Sequence, residues 1–288
     1  MEQLVLALDA GNTTTRFGVA LAGELLATWE VSTDLRATPD EATMALAGFF
    51  EALKFGLARV DEAALGRAAA SCGRDAHRLR RVLSEPGVRP VDGIVSSVVP
   101  ALTDVWVGAA ARLCGRRPLV VGPGLKTGLK MAYNNPTEVG ADRVADMVAL
   151  KATYGAPSVV VDLGTTTNIE VLNEKSEFAG GVLAPGLRLS AEALVAAAAR
   201  LPMVDVRAPQ SVIGRSTREA MQSGIVYGEV ARIDGLLDMV FAEMGIEPRV
   251  VLSGHDAEVI AALMRHASTV DQTLTLRGLV LLHAANRK

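Results

Sequence analysis

The chain has 288 residues, of which 50% are hydrophobic, 21% charged and only 4% aromatic. This balance excludes a disordered or low-complexity protein, and the length allows about two domains of roughly 150 residues each. The formal net charge is −3, without a long run of one sign, so we expect neither a nucleic acid nor a membrane as partner. The sequence contains no signal-peptide pattern and no apolar stretch long enough to span a bilayer, which predicts a cytoplasmic protein.

The first predicted elements are a β-hairpin, a third strand and a helix. Residues 5–21 contain two apolar segments separated by the small polar turn Gly11-Asn12-Thr13. A third strand is predicted at Leu25–Val31. The residues from Thr38 to Glu41 have the pattern of a capping box with proline at the first helical position, which predicts a helix to about residue 56.

The middle of the chain contains a segment that does not fit the pattern of the rest. We predict that residues 61–90 form a helical insertion on the surface, with a basic end. The elements predicted after it are a strand at Gly93–Val99, a helix to Gly115 and a strand at Pro118–Val121. The turn residues Gly122-Pro123-Gly124 mark a break, so we predict an N-terminal domain at 1–122 and a C-terminal domain at 123–288.

The hairpin pattern of the N-terminus recurs 153 residues later in the chain. Asp162 then aligns with Asp9 and Gly164 with Gly11, and the second hairpin is again followed by a predicted strand, at Glu177–Leu183. The other elements predicted in this half are helices at 139–154, 189–200 and 216–245, a strand at 248–252 and two closing helices. Two copies of this order predict an α/β fold of duplicated ribonuclease-H-like (actin-like) domains, with the active site in the cleft between them.

The repeated turns have residues suited to binding phosphate. Each places Asp at the end of a strand and then Gly with hydroxyl or amide residues, so that backbone N–H groups can hold phosphate oxygens. A carboxylate repels phosphate, so we expect it to act through a cation such as Mg²⁺ with its waters. The sequence therefore predicts a polyphosphate ligand gripped by two turns.

An acidic helix start lies between the two repeats. The segment 133–146 brings Asp142 and Arg143 into the first turns of a predicted helix. An ionised Asp is stabilised there by the helix dipole and can accept the proton of a substrate hydroxyl, while Arg143 can hold a carboxylate or phosphate. A capped surface helix with an Asp–Arg charge pair explains the same pattern equally well.

Taken together, the motifs resemble those of type III pantothenate kinases, a family in the acetate kinase, sugar kinase, Hsp70 and actin superfamily. The residues that carry the resemblance are Asp9-x-Gly-Asn-Thr13, Ser96-Ser-Val-Val-Pro100, Tyr133-x-Asn-Pro136, Glu138-Val-Gly-Ala-Asp-Arg143, Asp162-x-Gly-Thr165, Gly180-Gly-x-x-x-Pro-Gly186 and Gly214-x-x-Thr217. The resemblance runs in order from residue 4 to about residue 285, with 61–90 as the main insertion.

The resemblance implies phosphorylation of pantothenate by ATP, the first step of coenzyme A biosynthesis, in a homodimer that needs Mg²⁺ and K⁺ or NH₄⁺. It implies that Asp142 is the catalytic base and that Asp162 lies near the monovalent cation, while Asp9 acts on Mg²⁺ through water. The implied ATP-binding residues are Asp9, Gly11, Asn12, Thr13, Gly164 and Thr165. The implied pantothenate-binding residues are Tyr133, Gly140, Arg143 and Thr217, the last from across the dimer interface.

Three departures from the family pattern leave alternatives open. The family usually has Thr-Gly-Gly where this chain has Ser253-Gly254-His255, and Asn where Asp146 stands. The second phosphate motif also continues differently, as Thr166-Thr167-Asn168-Ile169-Glu170. A kinase for another small alcohol, or a nucleotide-binding regulatory paralogue, is therefore the alternative function.

Overall fold

The computed structural model describes residues 3–85, 87–198 and 201–287, and these form two compact units. Unit 1 consists of the residues up to Gly128, the segment Asn135–Ala149 and the residues from Thr273 onward; unit 2 consists of Leu129–Asn134 and Leu150–Gln272. Two segments beyond residue 122 therefore complete unit 1. The predicted domain boundary after residue 122 stays a prediction.

Groups of strands and groups of helices follow one another along the chain. The strands are β1 (Val5–Ala10), β2 (Thr14–Leu21), β3 (Glu24–Ser32), β4 (Asp92–Ser97), β5 (Leu119–Val120), β6 (Lys130–Met131), β7 (Ser158–Leu163), β8 (Thr166–Leu172), β9 (Glu177–Pro185), β10 (Arg249–Gly254) and β11 (Ser268–Val270). The helices are α1 (Pro39–Lys54), α2 (Glu62–Ser71), α3 (Ala76–Leu83), α4 (Pro100–Cys114), α5 (Ala141–Tyr154), α6 (Leu187–Ala197), α7 (Thr217–Met244), α8 (Ala257–Ala261) and α9 (Leu274–Asn286).

The sheets of the two units share one strand order. In unit 1 the order is β3-β2-β1-β4-β5, with antiparallel β1–β2 and β2–β3 pairs and parallel β1–β4 and β4–β5 pairs. In unit 2 the order β9-β8-β7-β10-β11 has the same directions, and β6 is added beside β9. The predicted duplicated fold is confirmed; β6 and β11 are additions to the predicted elements.

Local sequence signals account for the helix ends. Thr38 caps α1 and Glu41 binds back to its backbone N–H at 2.8 Å, which confirms the predicted capping box. α4 starts at Pro100 and ends before Gly115, which has a left-handed φ of 76°. Apolar residues that alternate along β1 and β2 point into the core of unit 1, where the rings of Phe17 and Phe49 lie 5.4 Å apart.

The predicted insertion at 61–90 contains α2 and α3. Asp61 caps α2, and its own backbone N–H donates to the Leu26 carbonyl of β3 at 2.8 Å. Leu65 and Leu79 are buried in the core of unit 1. The helical prediction is confirmed, but these helices contribute to the core rather than merely covering the surface.

Within the described ranges, no helix combines the length and the apolar character that crossing a membrane requires.

Candidate active site

The first turn lies at the end of β1 in unit 1. The Gly11 N–H donates to the Thr14 carbonyl at 3.0 Å, which closes the turn. A Cβ on Gly11 would lie 2.9 Å from that carbonyl oxygen, so the tight approach requires glycine. Asn12 and Thr13 are exposed at its tip. The turn is thus fixed at its base and presents its polar tip to solvent.

Thr33 holds this turn from the residue after β3. Its hydroxyl donates to the Gly11 carbonyl at 2.8 Å and lies 2.9 Å from the Thr15 hydroxyl. Its backbone N–H donates to the Thr13 carbonyl at 2.9 Å. Thr33 could not be predicted from the sequence, because a single Thr beyond a strand belongs to no motif.

The end of β4 lies beside the first turn. β4 runs parallel to β1 with Ser96 opposite Asp9, and the Val98 N–H donates to the Ala10 carbonyl at 3.1 Å. The carboxyl ends of two parallel strands therefore meet at the edge where the turn begins. In an α/β sheet this edge is the usual place for a ligand site.

Asp142 is held at this same edge of unit 1. A Cβ on Gly140 would lie 3.5 Å from Cγ1 of Val98 and 2.5 Å from Oδ1 of Asp142. The Arg143 N–H donates to Asp142 Oδ1 at 2.8 Å, and the Val144 N–H donates to the Gly140 carbonyl at 3.1 Å at the start of α5. The absence of a side chain at Gly140 gives the Asp142 carboxylate its place.

The environment of Asp142 shifts its pKa. Burial raises the pKa of this carboxyl, while the Arg143 N–H and the Arg143 charge act in the opposite direction. A raised pKa brings a carboxylate closer to the value at which it accepts a proton efficiently near neutral pH. The surroundings of Asp142 therefore shift its pKa toward that value.

Two further charged residues of α5 are buried inside unit 1. Arg143 and Asp146 are buried, at 9% and 2% exposure. The Thr275 hydroxyl of α9 donates to Asp146 Oδ1 at 2.6 Å. The departure from the family pattern at Asp146 is thus an anchor between two helices of unit 1.

The second turn lies at the end of β7 in unit 2. The Gly164 N–H donates to the Thr166 carbonyl at 3.0 Å, and the Gly186 N–H donates to the Thr165 carbonyl at 3.0 Å. A Cβ on Gly186 would lie 2.4 Å from the Gly164 carbonyl oxygen. The second turn therefore requires glycine at position 186, for a steric reason that the sequence motif alone does not show.

Asp162 has polar neighbours on the adjoining strands of unit 2. Asn168 of β8 and Ser253 of β10 lie directly opposite it in the sheet register. Asn168 Oδ1 and Ser253 Oγ are buried and have no hydrogen-bond partner among the described residues. Gly254 follows with a positive φ of 96°, and His255 is exposed. Buried oxygens are thus available on both sides of Asp162.

The other predicted substrate residues lie in unit 2. The Tyr133 ring packs against Phe178, with centroids 5.3 Å apart. Thr217 is exposed at the first position of α7, after the capping residue Ser216. Unit 1 therefore contains Gly140, Asp142 and Arg143, and unit 2 contains Tyr133 and Thr217.

A family model described as type III pantothenate kinase matches residues 5–72 and 59–239. The type III pantothenate kinase of Halalkalibacterium halodurans is 36% identical over 284 residues, covering 98% of this chain and all of that protein. The enzyme of the same name from Anaeromyxobacter sp. strain K is 37% identical over 284 residues, covering 99% and 100%.

Solved structures resemble this chain in fold at low sequence identity. A Campylobacter jejuni protein described as a conserved Baf family transcriptional activator has a TM-score of 0.53 and 14% identity, with 96% of each chain covered. The ethanolamine utilization protein EutJ of Carboxydothermus hydrogenoformans has a TM-score of 0.51 and 13% identity, covering 97% of this chain and 90% of that one. These likenesses support the fold alone.

Proposed function

The chain belongs to the type III pantothenate kinase family, and on this premise we propose that it transfers the γ-phosphoryl group of ATP to pantothenate. The products are ADP and 4′-phosphopantothenate, in the first step of coenzyme A biosynthesis. The observation that carries the proposal is the position of Asp142, held by Gly140 beside Val98 at the sheet edge where the first turn begins.

Asp142 acts as the general base. Its carboxylate accepts the proton of the pantothenate hydroxyl while the hydroxyl oxygen forms a bond to the γ-phosphorus and the bond to ADP breaks. The raised pKa of Asp142 supports this role. Most of the remaining rate enhancement comes from positioning the substrates and neutralising phosphate charge.

The turns bind the phosphates of ATP. The residues proposed for this are Asp9, Gly11, Asn12, Thr13, Gly164 and Thr165. The closed turns of both units support the assignment, because each leaves small polar residues at its tip. Asp9 holds Mg²⁺ through water; when bound, the ion neutralises the phosphate oxygens.

Asp162 holds the monovalent cation, K⁺ or NH₄⁺. The residues around it fit such an ion, because Asn168 Oδ1 and Ser253 Oγ are buried oxygens without a hydrogen-bond partner in the described chain. Both lie opposite Asp162 on neighbouring strands. When bound, the cation supplies positive charge near the second turn.

Pantothenate is bound by Tyr133, Gly140, Arg143 and Thr217. Thr217 is contributed across the interface of a homodimer, to the site of the other subunit. The exposure of Thr217 at the start of α7 supports a role outside its own unit. The buried Arg143 can form a charge-assisted hydrogen bond to an anionic substrate. The dimer and the cytoplasmic location stay predictions.

The test is a coupled ADP-release assay with pantothenate, Mg²⁺ and K⁺ on the wild type and on Asp142→Asn. We expect the variant to lose turnover by roughly 10²- to 10⁴-fold, the usual contribution of a general base. Asp146→Asn is the matched control on the same helix; it should keep turnover within a few-fold, because the amide oxygen still accepts from Thr275.

The outcomes separate the candidate functions. Near-normal turnover by Asp142→Asn would remove the base assignment. Wild-type ADP release with another small alcohol but not with pantothenate would favour a different kinase, and ATP binding without any turnover would favour a regulatory protein.

A further inference from the structure

An ion pair on α7 has no part in the roles proposed so far; its glutamate is buried and its arginine side chain is 30% exposed. Glu229 is 4% exposed, and its carboxylate forms a salt bridge with Arg232 one turn later. The Thr167 hydroxyl of β8 donates to the other carboxylate oxygen, Oε1, at 2.6 Å. The pair is therefore connected to the strand that follows the second turn.

The other end of the pair reaches the strand β9. An Nη2 proton of Arg232 is donated to the Pro185 carbonyl at 2.6 Å. Thr166 and Pro185 are register partners, and the next residue, Gly186, donates its N–H to the Thr165 carbonyl. Glu229 and Arg232 thus connect the start of β8 with the end of β9, next to the turn residue Thr165.

Stability alone gives a poor account of this pair. Burial raises the pKa of Glu229, because removing the charged carboxylate from water costs free energy, while Thr167 and Arg232 act in the opposite direction. Buried ion pairs are often no more stabilising than apolar residues of the same volume. What the pair does supply is a fixed spacing between two strand ends, which an apolar pair does not fix.

We propose that Glu229 and Arg232 are positioning residues that hold the second phosphate-binding turn, acting through Thr167 and the Pro185 carbonyl. The inference rests on the proposed function, because it assigns the turn to ATP. The pair does not touch the nucleotide; it fixes Gly186, whose N–H holds the carbonyl of the proposed phosphate-binding residue Thr165.

The experiment compares Arg232→Met with Arg265→Met. Arg265 lies beyond α8 and forms ion pairs with Asp234 and Asp238 of α7, at 3.5 and 2.9 Å, both outside the turn. Both changes remove one arginine charge and keep much of the apolar stem. We expect Arg232→Met to raise the KM for ATP about tenfold, which corresponds to about 1.4 kcal/mol. The KM for pantothenate should rise less than twofold. Arg265→Met should change neither.

Conservative variants test the chemistry of the contact. Glu229→Gln keeps an acceptor for Thr167 and should retain more ATP affinity than Glu229→Leu, and Arg232→Lys should recover part of the loss in Arg232→Met. A role limited to folding would lower thermal stability without changing the ratio of the KM values for the two substrates. Equal KM values for Arg232→Met and wild type would overturn the proposal.

Amide hydrogen exchange gives a readout that does not depend on ATP. In Arg232→Met, the Gly164 and Gly186 amides should exchange at least several-fold faster than in Arg265→Met. Unchanged exchange would overturn the positioning role whatever the kinetics. If the wild type binds no ATP but these amides still exchange faster in Arg232→Met, the proposed function is wrong and the role of the pair in holding the turn stands.

Discussion

The turns of unit 1 and unit 2 have the same backbone hydrogen bonds. In each, a glycine N–H after the Asp strand donates to the carbonyl at the start of the next strand, at 3.0 Å. In each, the residue after the third strand donates its N–H to the threonine carbonyl of the turn: Thr33 at 2.9 Å and Gly186 at 3.0 Å. The two copies have kept this pattern of backbone hydrogen bonds, although the first turn has three residues between its strands and the second has two.

The side chains that hold this geometry differ. In unit 1 the Thr33 hydroxyl binds both the Gly11 carbonyl and the Thr15 hydroxyl. In unit 2 Gly186 has no side chain, and a charged pair on α7 binds Thr167, the register counterpart of Thr15. A duplicated turn can therefore be held by a neutral hydroxyl in one copy and, in the other, by an ion pair whose carboxylate is buried.

The largest expected effect comes from Gly186→Ala. The new Cβ would lie 2.4 Å from the Gly164 oxygen and 2.5 Å from the Thr165 oxygen, and these are backbone atoms with little freedom to move. We expect a loss of roughly 3 kcal/mol in the free energy of unfolding, measured by urea denaturation, with loss of ATP binding.

Two other glycine-to-alanine substitutions should have smaller effects on stability than Gly186→Ala. Gly11→Ala should be milder, because its nearest backbone oxygen is 2.9 Å away. Gly48→Ala in α1 meets nothing within 4 Å and should stabilise the protein by up to about 1 kcal/mol. Equal losses for Gly186→Ala and Gly48→Ala would show that the second turn tolerates a side chain.

The sequence predicted the parts of the molecule that recur or that obey local rules. The repeat of Asp9 and Gly11 in Asp162 and Gly164 identified both turns, and the residues around Thr38 identified the start of α1. The contacts of Thr33 and Glu229 were not predictable, because they join residues distant in the chain and no pattern links them. Short strands such as β11 were also missed, since three residues give no periodicity.

A smaller effect concerns Asp142, the carboxylate beside the turn of unit 1 that we propose as the base. Because burial raises the pKa of Asp142, the acidic limb of the kcat/KM profile should lie at higher pH than for an ordinary aspartate. A raised folded-state pKa means that stability falls as pH rises from the ordinary value to the raised one. At pH 7 Asp142→Asn should therefore melt no lower than wild type, and this advantage should vanish in acid. An acidic limb at the ordinary aspartate pKa would contradict the tuning.

The smallest expected effect tests the neutral support of unit 1. Thr33→Val removes one hydroxyl at nearly constant volume and leaves the backbone N–H bond to Thr13 in place. Losing a hydrogen bond of about 1 kcal/mol should raise the KM for ATP roughly three- to fivefold, with the KM for pantothenate unchanged. Thr33→Ser restores the hydroxyl and should recover near-normal affinity. If Thr33→Val had a larger effect than Arg232→Met, the ion pair of unit 2 would be the weaker support, and the order of the comparison would be reversed.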